Sequence, residues 1–184
     1  MDLRSVVEVF TNKSTEFMLE HGGSASWVMS VSKAPRLEYC VCCRNDVLPR
    51  EDDQGDRPES RNEAFLVGKV SGIELVERQN NRDRYLIKFS EYAEVSVPGF
   101  RHGSIRNPVV YSDVDQCRRR GLDISKLSFK PMPTPTKPYS RLGQTSGGAS
   151  RAVERSGLSI TEAKAGLAVY YEVPVEAIEV TIRG

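Results

Sequence analysis

Three of the four cysteines lie within four residues, in the stretch LEYCVCCRN from Leu37 to Asn45. Thiolates bind zinc and, when activated, act as nucleophiles. Structural zinc sites pair cysteines at a spacing of about two to four residues and add a second pair or histidines downstream. The further candidates are Cys117, His21 and His102, and none stands at such a spacing. The sequence therefore predicts neither a metal site nor another cofactor.

A nucleophilic enzyme would need one of the two histidines as its base, and both adjoin glycine in predicted loops. The chain has no nucleophile elbow and no dinucleotide fingerprint. LVGKVSG, at Leu66 to Gly72, lacks the spacing of a phosphate-binding P-loop. The paired acids Asp52 and Asp53 fall in a stretch, residues 50 to 63, that reads as an exposed loop. The sequence favours a protein without catalytic residues and leaves a small nuclease or nucleotide-modifying enzyme as an alternative.

Aromatic, amide and basic residues alternate along the chain from residue 27 to residue 111, a pattern typical of nucleic-acid binding. Aromatic faces stack on bases, Asn reads base edges, and Lys or Arg holds phosphates. Phe65, Tyr85, Phe89 and Tyr39 are predicted to lie in the core, whereas Trp27, Tyr92 and Tyr111 are expected to be accessible. The predicted ligand-binding residues are Trp27, Arg44, Asn45, Tyr92, Arg106, Asn107 and Tyr111, and the predicted contacts to the nucleic-acid backbone are Lys33, Lys69, Arg118, Arg119 and Arg120.

The charge is unevenly distributed, although the 184 residues carry a net charge of only +1. Residues 1 to 60 contain 7 basic and 11 acidic residues, and residues 100 to 155 contain 11 basic and 4 acidic residues. A basic block in a near-neutral chain predicts a surface that meets an anion, most commonly nucleic acid. A solvated basic loop is the alternative.

Short strands must position these residues. LEYCVCCRN alternates as a strand, which places Cys40 and Cys42 on one face and Cys43 on the other, with Arg44 and Asn45 at its end. The segments 64–76, 84–89 and 92–98 are rich in β-branched residues or alternate, and RQNNRDR is typical of a hairpin loop. The predicted fold is α+β, a small curled antiparallel β-barrel with a C-terminal helix-strand unit.

The predicted organisation has four parts: an N-terminal segment at 1–22, a barrel-like core at 23–130, a Pro/Ser/Gly-rich linker at 131–157 and a helix-strand unit at 158–184. No uncharged apolar run approaches the roughly 18 residues that cross a membrane, and the N-terminus lacks the features of a secretory signal. The sequence therefore predicts a cytoplasmic protein.

Several segments together resemble a family of uncharacterised bacterial proteins. These segments are SWVMSVSKAPRLEYCVCCRN, AFLVGKVSGI, RYLIKFSEYAEVSVP, RNPVVYSD and SITEAKAGLAVYYEVPVEAIEVTIRG. The likeness spans most of Ser26 to Tyr111 and the last 26 residues. It implies a folded unit and no particular function.

A second resemblance, over Ser26 to Phe129, is to PUA-like folds such as the EVE and YTH groups, which hold a modified base in an aromatic cage. It implies that Trp27 forms the cage, that Asn45 or Asn107 reads the base and that Arg106 lies near phosphate. We therefore expect a non-catalytic protein that binds nucleic acid or a modified nucleotide. The alternative is a protein-binding regulator or inhibitor, related to mobile elements or phage defence, that acts through the C-terminal unit and the basic linker.

Overall fold

The computed structural model describes residues 5–47, 53, 55–103, 105–142 and 174–177. The chain divides into two compact units, Met1–Gln144 and Thr145–Gly184. In the second unit the described residues are 174–177, with a short 3-10 helix at Val175–Ala177. The rest of the predicted helix-strand unit lies outside the described residues.

The first unit contains a mixed sheet, two α-helices and short 3-10 helices. The strands are β1 (Val6–Thr11), β2 (Gly23–Trp27), β3 (Tyr39–Arg44), β4 (Ala64–Gln79), β5 (Arg82–Val97), β6 (Val109–Ser112) and β7 (Lys130–Pro131), the helices are α1 (Thr15–His21) and α2 (Val114–Arg119), and the 3-10 helices are Val31–Arg36 and Ile124–Lys126.

The described strands form one seven-stranded sheet in the order β2-β5-β4-β3-β1-β6, with β7 also paired to β5. Strand β1 runs parallel to β3, and the other pairings are antiparallel. The fold is therefore α+β with a mostly antiparallel sheet, in agreement with the predicted class.

The sheet is curled but open. Thr11 of β1 and Trp27 of β2 line one small cleft, although four strand-to-strand steps separate β1 from β2. In a flat sheet those steps would span roughly 19 Å, at about 4.8 Å per step. Register shifts at four places between β4 and β5 supply the bend. Within the described residues, β2 and β6 do not pair with each other, so the predicted closed barrel is wrong: the two short edge strands do not meet.

The two long strands β4 and β5 form a hairpin that closes in two residues. Asn80 and Asn81 have φ values of 50° and 60°, the left-handed conformation that asparagine tolerates and that tight hairpin turns require. The predicted loop at 78–84 is thus much shorter, because Arg78 and Gln79 already pair with Asp83 and Arg82.

Both faces of the sheet are covered, and this explains the sequence of β1. One cluster, on the side of α1, includes Val7, Val9, Met18, Cys40, Cys42, Leu66, Ile87 and Phe89. The other, on the side of α2, includes Val6, Val41, Cys43, Val67, Phe100, Cys117 and Leu122. A strand buried on both faces reads as a nearly continuous apolar run. Because β1 lies between β3 and β6, the predicted N-terminal segment at 1–22 contributes an internal strand to the sheet.

Two segments that the sequence assigns to loop or linker pack against helix α1 and its N-cap. Asp53 accepts hydrogen bonds from the backbone N–H and the hydroxyl of Ser14, at 2.8 and 2.6 Å, and so anchors its loop to the start of α1. Tyr139 is only 7% exposed and contacts the rings of Phe17 and His21. The segment through residue 142 therefore belongs to the first unit, and residues 143–157 of the predicted linker lie outside the described residues.

Candidate functional site

The cysteines are buried structural residues. Cys40 and Cys42 belong to the cluster on the α1 side, and Cys43 belongs with Cys117 to the cluster on the α2 side, as strand alternation predicts. Burial raises the pKa values of the Cys40, Cys43 and Cys117 thiols above their ordinary range, so these thiols stay protonated and weakly nucleophilic. Among the described residues, no group of three His, Cys, Asp or Glu side chains is arranged to hold a metal ion.

Arg44 is committed to internal contacts. It is 2% exposed, because β3 is an internal strand and residues 55–63 fold over its end. Its guanidinium donates to Glu59 Oε2 at 2.7 Å and to the Lys13 carbonyl at 2.7 Å, and it lies 4.1 Å from the centre of the Phe65 ring. The prediction that Arg44 is placed to meet a ligand is therefore wrong.

Trp27 is also buried, with 9% of its surface exposed. The indole packs in the cluster on the α1 side, and its Nε1–H donates to Ser24 Oγ at 3.0 Å. The prediction that Trp27 is accessible is therefore wrong, because the curl of the sheet turns it inward. A base could not stack on this ring without displacing core side chains.

Three other predicted residues, Asn45, Lys69 and Tyr92, each make contacts with different neighbours. The Asn45 side chain accepts the Val47 N–H at 3.3 Å. Lys69 forms an ion pair with Glu91 at 2.8 Å, which offsets its charge. Tyr92 is half-buried, with Lys130 Nζ at 5.9 Å from its ring centre. These residues do not converge on a common site.

Strand β6 and its flanking segments gather most of the remaining predicted residues. Arg106 and Asn107 are exposed just before β6, Tyr111 lies within it, and Arg118 to Arg120 follow at the end of α2. Lys33 joins them, since its Nζ lies 4.2 Å from the Tyr111 ring centre. We call this region the β6 edge.

Arg120 is structural, because it neutralises the fully buried Glu8. Its guanidinium binds both carboxylate oxygens of Glu8, and Ser112 Oγ donates to the same carboxylate. The hydrogen bonds with Glu8 raise the pKa of Arg120 above its ordinary value. Glu8 is not among the residues predicted from the sequence. The signal that could have revealed it is a single acid within the apolar run VVEVF.

The three consecutive arginines have different surroundings. Arg118 pairs with Asp115 at 3.1 Å and with Asp123 at 3.5 Å, and Arg120 pairs with Glu8. Arg119 is exposed and forms no ion pair with any residue that the structure describes. Of the predicted backbone contacts in this run, Arg119 alone presents a charge not offset by a neighbouring carboxylate within the described part of the chain.

A cleft of about 380 Å³ opens beside β6. It is lined by Glu8, Val110, Tyr111, Ser112, Gln116, Arg119 and Arg120. Its volume falls in the usual range for small-molecule sites, about 300–1,000 Å³. The cleft is wide enough for a nucleotide.

The free edge of β6 adds main-chain groups to this region. The Phe10 N–H donates to the Pro108 carbonyl at 2.8 Å, and Glu8 is opposite Val110. Hydrogen-bonded pairs alternate along an antiparallel ladder, so Val109 and Tyr111 turn their N–H and C=O groups away from β1. Among the described residues, no strand pairs with this outer edge.

Arg101 holds the loop that carries Arg106 and Asn107. It is 1% exposed, donates to the carbonyls of Ile105 and Asn107, and lies 4.7 Å from the centre of the Phe10 ring. Burial lowers its pKa. The sequence does not reveal this role, since an arginine between two loops reads as a surface residue.

Fold and site together define an α+β protein with an open, curled sheet and a cleft flanked by basic residues at one sheet edge. Comparison with known protein families, curated proteins and solved structures gave no match. Among the helices that the structure describes, none has both the length and the apolar character needed to cross a membrane.

Proposed function

We propose that the protein binds nucleic acid at the β6 edge and does not catalyse a reaction there. The observation that carries the proposal is the position of two basic side chains on opposite faces of the edge strand β6. Lys33 contacts Tyr111 on one face of the sheet, and Arg119 lines the cleft with Glu8 and Ser112 on the other.

The chemistry of the surrounding groups supports this proposal. Arg119 and the exposed Arg106 can bind phosphates, while Asn107, Gln116 and the outward main-chain groups of β6 can hydrogen-bond with base edges. A single strand fits the region better than a duplex does, because the cleft accommodates one nucleotide and the basic residues are few.

The proposal includes recognition of a modified nucleotide and a PUA-like architecture of the sheet. With Trp27 buried, selectivity would come from the cleft and from Tyr111. The proposed ligand-reading residues are therefore Asn107, Tyr111 and Gln116.

Substitution of Arg119 tests the proposal. Arg119→Gln should weaken binding of a fluorescent single-stranded oligonucleotide uniformly across sequences and lower the slope of log affinity against log salt by about 0.7, the value for one phosphate contact. The measurement is fluorescence anisotropy over a salt series, with separate DNA and RNA probes. Arg82→Gln, an exposed arginine at the β4–β5 turn, is the matched control. Salt-independent binding, or equal slopes for the two variants, would reject the β6 edge as the site.

A protein partner is the second candidate, and the free edge of β6 favours it. An extended peptide could add a strand there through the outward groups of Val109 and Tyr111. The route predicted from the sequence, through the basic linker and the C-terminal unit, involves mainly residues outside the described part. A pull-down from extract with and without nuclease separates the two: loss of the captured material after nuclease supports nucleic acid, and nuclease-resistant capture of one protein supports the alternative.

A further inference from the structure

A second cleft, of about 160 Å³, lies where the ends of β1 and β2 approach each other. The residues at its wall that can bind a ligand are Thr11, Asn12, Lys13, Ser26 and Arg84, and the indole of Trp27 also lines it. These residues are distinct from those at the β6 edge, so a ligand held here does not depend on the proposed function.

Arg84 supplies a positive charge at the wall of the cleft. Arg84 donates from one terminal nitrogen to the Ser26 carbonyl at 3.1 Å, while its buried Nε has no hydrogen-bond acceptor among the described residues. A buried donor without an acceptor costs about 1–3 kcal/mol, and a bound anion would remove that cost.

The nearby acids do not neutralise Arg84. Glu77 lies opposite Arg84 in the β4–β5 register, but its carboxylate binds the Ser26 hydroxyl at 2.7 Å and forms no ion pair with Arg84. Asp53 is paired with Arg57 at 2.8 Å. Within the described residues, Arg84 forms no ion pair.

Neutral donors complete the arrangement. Thr11 Oγ1 accepts the Lys13 backbone N–H at 3.0 Å, so the Thr11 hydroxyl hydrogen remains available to donate into the cleft. The cleft holds the equivalent of about five waters at about 30 Å³ each, which is enough room for a phosphate group and too little for a whole nucleotide. Arginine's planar set of donors suits phosphate in particular.

We infer that this cleft binds the phosphate group of a phosphate monoester, held by Arg84 with the Thr11 hydroxyl as a further donor. The remainder of the ligand lies outside the cleft. The same chemistry is offered by a free nucleoside monophosphate and by the 5′-phosphate end of an oligonucleotide, so the experiment distinguishes these two sources.

Trp27 provides the signal for the test, because it is the only tryptophan in the sequence and it lines the cleft. Its fluorescence is followed while inorganic phosphate, adenosine monophosphate, or a single-stranded oligonucleotide with either a 5′-phosphate or a 5′-hydroxyl is added at constant ionic strength. A saturable change with a phosphate monoester is expected, and chloride at the same ionic strength should produce none. Calorimetry on the unmodified protein measures the same affinity independently of the fluorophore.

Arg84→Gln should weaken phosphate-monoester binding about tenfold or more, because a hydrogen bond to a charged group is lost. Arg84→Lys, which keeps the charge without the planar donors, should have an affinity between those of Arg84→Gln and the unmodified protein. Arg82→Gln should bind as the unmodified protein does. Thermal unfolding of each variant establishes that the fold persists.

The outcomes separate this inference from the function proposed for the β6 edge. If the 5′-phosphorylated oligonucleotide binds more tightly than its 5′-hydroxyl counterpart, and Arg84→Gln abolishes this difference, the ligand is a nucleic-acid end. A response to adenosine monophosphate alone identifies a free nucleotide. No saturable response to any phosphate monoester, or an unchanged affinity in Arg84→Gln, overturns the inference even if Arg119 proves essential for oligonucleotide binding.

Discussion

Glu8 and Arg120 show how one residue pair changes the meaning of a charge run. The carboxylate is fully buried, so its charge must be balanced within the protein. Arg120 supplies that balance and packs 4.2 Å from the centre of the Phe100 ring. The three arginines, which the sequence presents as a uniform basic patch, therefore differ among the described residues: Arg120 is structural, Arg118 forms two ion pairs, and Arg119 forms none.

Substitutions at these positions should differ strongly in their effect on stability. Arg120→Gln should lower the free energy of unfolding by about 3–5 kcal/mol, because it leaves the Glu8 charge buried and unpaired. Arg118→Gln should lower it by at most about 1 kcal/mol, since its partners are at the surface. Urea unfolding followed by Trp27 fluorescence measures both. A similar loss of unfolding free energy in the two variants would show that the buried Glu8 carboxylate does not require the Arg120 charge.

At the scale of elements, the long β4–β5 hairpin determines the shape of the sheet. Its register shifts bend the two strands, and a glycine permits close packing at one point. A Cβ built at Gly68 would lie 2.5 Å from ring carbons of Phe89. Since Phe89 belongs to the cluster on the α1 side, Gly68 is required by packing rather than by backbone conformation.

Two glycines of β4 provide a matched comparison. Gly68→Ala should lower the free energy of unfolding by about 1–3 kcal/mol, because the new methyl group overpacks against Phe89. Gly72→Ala should change it by less than about 1 kcal/mol or raise it slightly, since a Cβ there has no neighbour within 4 Å. Chemical denaturation measures the free energy of unfolding of both variants. An equal loss in the two would indicate an effect of strand propensity rather than of the Phe89 contact.

At the scale of the whole molecule, the curl of the sheet has two consequences. It brings the ends of β1 and β2 together around the Trp27 cleft, and it leaves β6 as an open edge. Separately, the strand order places β3 between β1 and β4, and the two hydrophobic clusters shield its three cysteines on both faces. Their reactivity should therefore report on unfolding of the first unit as a whole.

Thiol labelling tests this shielding. In native protein near neutral pH the cysteines should react slowly, because burial raises the pKa values of Cys40, Cys43 and Cys117. Little thiolate forms at these positions until the pH is well above the pKa of a free thiol. Cys117, on the short helix α2, should react first, and the β3 thiols should react only with global unfolding. Mass spectrometry after timed alkylation measures the order, with Cys117→Ser as the control that removes the fast site. Early labelling of Cys42 would contradict the enclosed position of β3.

The sequence by itself determined the α+β class, the strand at LEYCVCCRN with its thiols on alternating faces, the turn between β4 and β5, and the burial of Phe65 and Phe89. The strands predicted at 84–89 and 92–98 are instead one continuous strand, β5. The correct predictions follow from local periodicity and turn chemistry, which need no knowledge of distant residues. The sequence also pointed to Arg106, Asn107, Tyr111 and Arg119, which lie close together in the chain around one strand.

Only the tertiary structure decided which charged and aromatic residues remain available to a ligand. Whether Trp27 and Arg44 are exposed depends on the curl of the sheet and on a loop that folds over β3, and neither is encoded in local spacing. The pairing of Glu8 with Arg120 and the cleft that Thr11 and Arg84 line together join residues far apart in the chain. Burial and ion pairing are set by such long-range contacts, so the candidate sites became visible only once the strands were ordered in space.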